Sequence, residues 1–402
     1  MNVLIVCQYF YPEEFKVNDV AEELVKKGYN VTVITGKPNY PTGKLFDGYK
    51  CLGIQFENYK GARVIRLPLI TRGNGGGIRL ALNYVSFLLT GSFYVLTHKM
   101  DFDKILCFQL SPISMAYPAI IAKKKSKACL SLWVQDLWPE SVFAAGQVKR
   151  GLAGLANTVL TKMVRSIYKA CDTIFIQSPR FSESILAKGN FKDKLVFAPN
   201  WAEDVFCQME VKENNVELKL PNGFNVMFAG NIGEAQDFDN IINAANLLKG
   251  YIDIHWVVVG DGRKRVEAEQ RVRELCLENN VHFLGRHPVK MMPSYFKYAD
   301  AMLVTLRDEF IFSLTIPSKV QAYMASGKPI LTMLTGVGNE IIEEANCGFI
   351  ADSGDFRTLA KNVLRMYQLS SSERKLLGKN ATDYYDAHFR KLSVIETLTE
   401  KW

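Results

Sequence analysis

FNVMFAGNIGEAQDFDNIINAANLLKGYIDIHWVVVGDGRKR, residues 224–265, is the stretch on which the fold turns. FNVMFAG (224–230) is an apolar run of strand length, DFDNIINAANLLKG (237–250) reads as a helix, and IHWVVVG (254–260) is a second strand. Apolar strands that alternate with helices belong to parallel sheets covered on both faces. The pattern continues through a charged helix, VHFLG (281–285), ADAMLVTL (299–306) and PILTM (329–333).

The first half has the same grammar. VLIVCQYF (3–10) is a strand, and Val17, Val20, Ala21, Leu24 and Val25 then recur at helical spacing until Gly28 stops the helix. VTVIT (31–35), KILCF (104–108), ACLSLWV (128–134) and TIFIQ (173–177) are further strands, and a helix is expected over 149–170. Between the halves, residues 199–223 lose periodicity and gain charge, which marks a junction. The expected fold is therefore α/β, two doubly wound Rossmann-like domains facing each other across a cleft, with ligands outside the carboxyl ends of the strands. The N-terminal domain is expected over 1–203 and the C-terminal domain over 204–385. Residues 386–402 are expected to form a C-terminal helix able to pack back on the N-terminal domain.

At 402 residues and 48% hydrophobic, the chain has apolar material for two cores. Its eight cysteines include no CxxC pair or metal knuckle, and several sit in apolar strand runs as reduced thiols would. A reducing, cytoplasmic setting follows, and the N-terminus has no basic signal-peptide region. The net charge of +8 suits phosphorylated substrates or an anionic membrane surface. Without an Arg-rich tail or zinc-finger spacing, nucleic acid is not an expected partner.

Four motifs carry chemistry. Gly230, Asn231 and Gly233 form a glycine turn between strand and helix, where backbone N–H groups can face an anion. Gly260, Asp261 and Gly262 repeat it one strand later, with Arg263 or Lys264 as phosphate ligands. Either turn alone could simply pack helix on strand; two on consecutive strands are stronger. In TIPSKVQAYMASGKPIL (315–331), Ser318 and Lys319 stand at a helix N-terminus, and the helix dipole repels a lysine there unless an anion lies between. In WVQDLWPESV (133–142), Gln135, Asp136 and Glu140 with Trp138 suit sugar hydroxyls, or a structural Trp-Pro turn. The D-x-D pairs at 101–103 and 237–239 precede a strand and open a helix, so no metal site is expected.

These motifs, with YFYPEEFKVNDVAEEL and TGKPNYPTGKLFDGY, run in an order that resembles glycosyltransferase family 4, whose fold is GT-B. The resemblance spans nearly the whole chain and is greatest to O-antigen and capsule enzymes of the WbuB type, N-acetyl-L-fucosamine transferases. It implies a retaining, metal-independent transfer with no cofactor, from a UDP-sugar on the C-terminal domain to a polyprenyl-diphosphate-linked sugar on the N-terminal one. Gly230, Asn231 and Gly233 would line the diphosphate with the second turn, Arg263 and Lys319 would neutralise it, and Ser318 would add a donor. Asp136 would position the acceptor or act as a base. Glu13, Glu14, Lys16, Asn18, Trp138 and Glu140 would bind the acceptor. Three departures stand out. Leu314 and Ala322 occupy the positions of two family glutamates, Asn231 and Asp237 those of an Arg and a Lys, and EEFKVN (13–18) that of a glycine pair.

LALNYVSFLLTGSFYVLT (80–97) is uncharged over the length of a membrane span, but polar interruptions and the α/β pattern on both flanks argue against crossing. The run is expected to be two short helices broken at Gly91. These form either a core hairpin or an apolar patch, rimmed by Arg72, Arg79, His98 and Lys99, that docks segment 73–98 on the inner membrane face. KKKSK (123–127) would add attraction to anionic lipid. Peripheral attachment to the cytoplasmic face is the expected localisation. A UDP-sugar 2-epimerase and a non-catalytic nucleotide-binding assembly partner are the rival readings.

Overall fold

A computed structural model describes residues 1–73, 76–144, 153–207 and 220–402. Part of the charged junction and the start of the helix expected over 149–170 lie outside the described residues. The chain divides into two compact units, Met1–Pro199 with Ile395–Trp402, and Asn200–Val394.

The first unit holds strands β1 (Asn2–Val6), β2 (Asn30–Gly36), β3 (Gln55–Tyr59), β4 (Ala62–Leu67), β5 (Lys104–Gln109), β6 (Cys129–Val134), β7 (Thr173–Ile176) and β8 (Leu195–Phe197). Their order is β3-β4-β2-β1-β5-β6-β7-β8, and only β3 and β4 pair antiparallel. The second unit holds β9 (Phe224–Ala229), β10 (Ile254–Val259), β11 (Val281–Gly285), β12 (Ala301–Thr305), β13 (Ile330–Met333) and β14 (Gly348–Ala351). These run parallel in the order β11-β10-β9-β12-β13-β14. β9 and β10 are buried along their whole length, which is why they read as apolar runs rather than alternating ones. Successive residues feed opposite cores: Met227 and Val257 join Phe296 and Tyr323 on one face, Val226 and Trp256 join Ile241 and Val272 on the other. Strand order reverses at β1 and at β9, the places where such sheets open toward ligands.

Two expectations need correction. VLIVCQYF forms a strand only as far as Val6; beyond it Cys7 N–H donates to the Ile34 carbonyl (3.1 Å) and the Gln8 carbonyl accepts from Gly36 N–H (3.2 Å). The uncharged run is one unbroken helix, Gly77–Thr97, not two. Gly91 does not break it; a Cβ there would meet Pro118 Cγ at 2.7 Å, so the glycine permits close approach of the helix Ala116–Ser126. Leu80, Asn83, Phe87, Gly91, Tyr94 and Val95 form its buried face.

The chain end returns to the first unit. Lys104 Nζ donates to the Trp402 carbonyl (3.2 Å), Thr173 Oγ1 to the Lys401 carbonyl (2.9 Å), and the Trp402 ring packs edge-on against Tyr29.

Candidate functional site

A pocket of about 830 Å³ opens at the carboxyl ends of β9, β10 and β11. Its floor is the two glycine turns, laced together by their backbones. Gly230 N–H donates to Val259 O (2.9 Å), Ile232 N–H to Asp261 O (2.9 Å), and Lys264 N–H to Ile232 O (3.0 Å). Side chains at Gly260 and Gly262 would collide with the backbone of the neighbouring turn, which makes both glycines obligatory. Gly230 sits at φ +146° and leaves room for Lys319, whose Cε would lie 2.6 Å from a Cβ placed there.

Lys319 is the second residue of the helix Ser318–Ala325, with Pro317 as its N-cap. The side chain crosses the face of Phe228, its Nζ 4.9 Å from the ring centroid. Among the described residues it has no carboxylate partner, and burial pulls the ammonium down to about 8. Arg263 and Arg286 also line the pocket and pair with no carboxylate among the described residues. Lys264, the alternative phosphate ligand, is instead held by Glu267 (2.7 Å) and Glu234 (3.2 Å). A lysine at a helix N-terminus with no carboxylate partner among the described residues, flanked by two arginines, is a site built for a polyanion.

The other donor candidates gather here too: Asn231, Gly260, Asp261, Gly262 and Ser318 all line the pocket. Gly233 does not reach it; its N–H donates to Gln236 Oε1 (3.1 Å) and it borders a smaller recess. Ala322 lines the wall as a bare methyl and Leu314 is buried, so neither supplies the carboxylate of the family pattern. Asp237 and Asp239 turn to Arg307. A hollow of about 220 Å³ adjoins Ser318 and Lys319 and is lined by Val304, Leu306, Phe312, Thr315 and Pro317.

Pocket residues that had not been singled out include Glu203, Phe206, Arg286, His287, Val289, Met292, Phe296 and Tyr323. Arg286 and His287 directly follow VHFLG, so extending the strand-end argument to a third consecutive strand would have found them. Glu203 and Phe206 come from the junction, where periodicity gives no signal.

In the first unit, Asp136 follows β6 and its carboxylate accepts from the Ser111 hydroxyl, which follows β5. Burial raises the Asp136 carboxyl above its ordinary range. Trp138 Nε1 donates to Ser111 Oγ (2.9 Å), and Tyr84 packs edge-on against Trp138. Three acceptor candidates already have internal work. Glu13 is buried, accepts from the N–H groups of Tyr40 (2.7 Å), Asn39 (2.8 Å) and Phe10 (3.2 Å), and is pushed up to about 7 by burial. Asn18 bonds Tyr11 N–H (3.1 Å) and the Glu13 carbonyl (2.7 Å). Glu140 pairs with Lys188 (2.6 Å) and accepts from Ser184 (2.7 Å). Glu13 and Asn18 thus tie together the loops that follow β1 and β2, and Glu140 ties its own short helix to the helix Phe181–Ala187. Glu14 is exposed and Lys16 begins the helix Lys16–Lys26.

The helix Gly77–Thr97 presents an outward stripe of Ile78 (82% exposed), Leu82, Val85, Leu89 (62%), Phe93 (70%) and Leu96. The spacing is helical, and the stripe runs nearly the whole length of the helix. Of the lysines in KKKSK, Lys125 caps the helix by donating to Val95 O (3.0 Å), Leu96 O (2.7 Å) and His98 O (2.7 Å). Lys123 binds Ala170 O (2.8 Å) and Asp172 (2.7 Å). Those two have a structural role in place of the free surface charge expected of them.

Comparison with known proteins agrees with this arrangement. Residues 211–384 match the family model "Glycosyl transferases group 1". The chain is 24% identical over 338 residues to WcaI of Escherichia coli K12, a glycosyl transferase assigned to colanic acid biosynthesis, covering 81% of this chain and 82% of that protein. It is 28% identical over 270 residues to WbjE of Pseudomonas aeruginosa, also named as a glycosyltransferase, covering 63% and 64%. Among solved structures, Anabaena HepE in complex with UDP and glucose superposes with a TM-score of 0.65 at 16% identity, covering 99% of this chain and 98% of that one. The structural neighbours are GT-B glycosyltransferases with the same pair of Rossmann-like sheets. Family model, relatives and solved structures are thus all glycosyltransferases, and it is to these that the chain is similar.

Proposed function

We propose that this chain is a retaining, metal-independent glycosyltransferase. It takes a sugar from a UDP-sugar and joins it to a polyprenyl-diphosphate-linked sugar in capsule or O-antigen assembly. The observation that carries the proposal is Lys319, a half-buried ammonium without a carboxylate partner among the described residues, set against Gly230 and Phe228 at a pocket that Arg263 and Arg286 also line. Relatives support it: HepE was solved with UDP and glucose, and WcaI is named for colanic acid biosynthesis.

As the bond between the sugar's anomeric carbon and the diphosphate breaks, negative charge grows on the leaving oxygen. Lys319, Arg263 and the amino end of the helix Ser318–Ala325 are fixed in advance to receive it, so no divalent cation is required. The acceptor hydroxyl attacks from the face the diphosphate leaves and passes its proton to the departing phosphate oxygen. On the first unit, Asp136, whose carboxyl burial raises above its ordinary range, is the group proposed to orient an acceptor hydroxyl. The sugar occupies the hollow beside Lys319, where Val304, Leu306 and Phe312 favour a sugar with methyl and N-acetyl groups such as N-acetyl-L-fucosamine.

The lipid acceptor explains the exposed stripe on the helix Gly77–Thr97. The helix lies on the cytoplasmic leaflet with Leu82, Leu89, Phe93 and Leu96 in the acyl boundary, and Arg79 and Lys99 at headgroup level. Nucleotide release from a panel of UDP- and GDP-sugars, with and without detergent-solubilised polyprenyl-diphosphate-GlcNAc, tests the reading. UDP release from one donor only when lipid is present supports it. Turnover without lipid favours the epimerase, and binding without turnover favours the assembly partner.

A further inference from the structure

We infer that Arg72 binds the diphosphate of the lipid-linked acceptor, rather than rimming the membrane-facing helix as a free surface charge. The inference rests on the lipid-linked acceptor reading and assigns the anion of that acceptor to one residue of the first unit.

Arg72 stands in the segment between the end of β4 and the start of the helix Gly77–Thr97. Its backbone is anchored: Arg72 N–H donates to Asn39 Oδ1 (3.0 Å), and the N–H groups of Asn39 and Tyr40 donate to the Glu13 carboxylate (2.8 and 2.7 Å). Its guanidinium lies over the Tyr40 ring, 4.9 Å from the centroid. Tyr40 packs in turn against Tyr9 at 5.7 Å and Phe15 at 5.6 Å, which fixes the ring beneath the guanidinium. Arg72 is half-buried, yet among the described residues it pairs with no carboxylate. A planar fork held in place without a counterion suits a phosphate group.

The neighbouring cations are engaged elsewhere. Arg79 turns back on the chain, donating from Nε to Thr71 O (3.1 Å) and from Nη2 to Thr71 Oγ1 (3.3 Å). Arg66 is buried against Glu57 (2.7 Å), and Lys37 is buried with its ammonium on Gln55.

Position supplies the second argument. On one side of Arg72 is the helix whose exposed stripe meets the acyl boundary. On the other is Tyr84. Burial pushes its hydroxyl up to about 12, with Arg72 pulling it back and Asp136 pushing it further, so this hydroxyl stands in the field of both. Tyr84 packs against Trp138 at 6.4 Å, and Trp138 and Asp136 meet at the Ser111 hydroxyl. Membrane helix, Arg72, then Tyr84 with Trp138 and Asp136 is the order of a polyprenyl-diphosphate sugar: prenyl chain, diphosphate, sugar.

The test is calorimetric titration of the full chain, in a non-ionic detergent, with farnesyl-diphosphate-GlcNAc, farnesyl-monophosphate-GlcNAc and the uncharged farnesyl β-GlcNAc. It is repeated for Arg72→Ala and for Arg72→Met, which keeps an apolar stem over Tyr40. The wild type should prefer the diphosphate probe. Loss of charge-assisted bonds predicts that this probe binds roughly 10- to 100-fold more weakly in both variants. Affinity for the uncharged probe should stay within about twofold, and cosedimentation with phosphatidylglycerol vesicles should not change. A diphosphate preference retained in both variants, or lacking in the wild type, overturns the inference and leaves the acceptor reading standing. A loss confined to vesicle cosedimentation also overturns it and returns Arg72 to the membrane rim. Failure of the wild type to bind any of the three probes overturns the lipid-linked acceptor reading and the inference with it.

Discussion

Lys319→Met separates function from stability, because the same burial that makes the lysine useful makes it costly. The substitution keeps the stem that lies over Phe228 and Gly230 and removes the charge. Burial lowers the ammonium from 10.5 to about 8 in the folded chain, so holding it charged near neutrality costs on the order of 3 kcal/mol. The Phe228 face returns about 1–2 kcal/mol of this. The unfolded chain keeps its proton up to about 10.5, whereas the folded chain releases it near 8. Below pH 8 the penalty is complete, between the two values stability rises with pH, and above 10.5 the penalty is gone. Lys319→Met should therefore be about 1–2 kcal/mol more stable than the wild type at pH 7, with the advantage vanishing as pH rises. Its kcat should fall about 10²- to 10³-fold, the loss typical of removing one preorganised donor from a developing anion. Donor-dependent UDP release measures the first effect, and thermal melts from pH 7 to above 10 measure the second. The wild-type kcat/KM should fall as pH passes about 8, where the free enzyme loses the charge. A variant that melts several degrees lower at pH 7, or one that retains full kcat, would refute the reasoning.

Other consequences concern the first unit. Leu89→Glu and Phe93→Glu should abolish cosedimentation with anionic vesicles while changing stability by no more than about 0.5 kcal/mol; Phe87→Ser, on the buried face, should cost about 3 kcal/mol or more. Glu140→Gln leaves the buried Lys188 ammonium unpaired and should lower stability by about 2–4 kcal/mol in a chemical melt, with acceptor KM unchanged. Gly91→Leu overpacks the contact with Pro118 and should cost about 1–3 kcal/mol by the same melt.

How far the sequence could be read depended on how local each cause was. Apolar runs such as FNVMFAG and IHWVVVG announce buried parallel strands because both faces are covered, and glycine turns announce strand ends because the chain must reverse there. Lys319 was conspicuous for its clash with the helix dipole. The β3–β4 hairpin was missed because ARVIRL carries an arginine that looks solvent-facing. Arg66 is in fact buried, paired with Glu57 (2.7 Å) and set over the Tyr49 ring. Gly91 read as a breaker because its reason, Pro118, lies elsewhere in the chain. Glu140 and Glu13 read as ligands because a carboxylate's internal partner, Lys188 or the amides at 39–40, leaves no mark at its own position. Glu203 was invisible for the converse reason: its pocket is assembled from segments scattered between Ala229 and Tyr323, none of which marks position 203.

The most direct measurement follows the sugar itself. The enzyme is incubated with UDP-sugar labelled in the sugar and polyprenyl-diphosphate-GlcNAc, and the label is then partitioned between organic and aqueous phases. The account predicts label in the lipid phase, matched mole for mole by UDP in water, and loss of both in Lys319→Met. Label that stays in water as an altered nucleotide sugar, or undiminished lipid labelling by Lys319→Met, would contradict it.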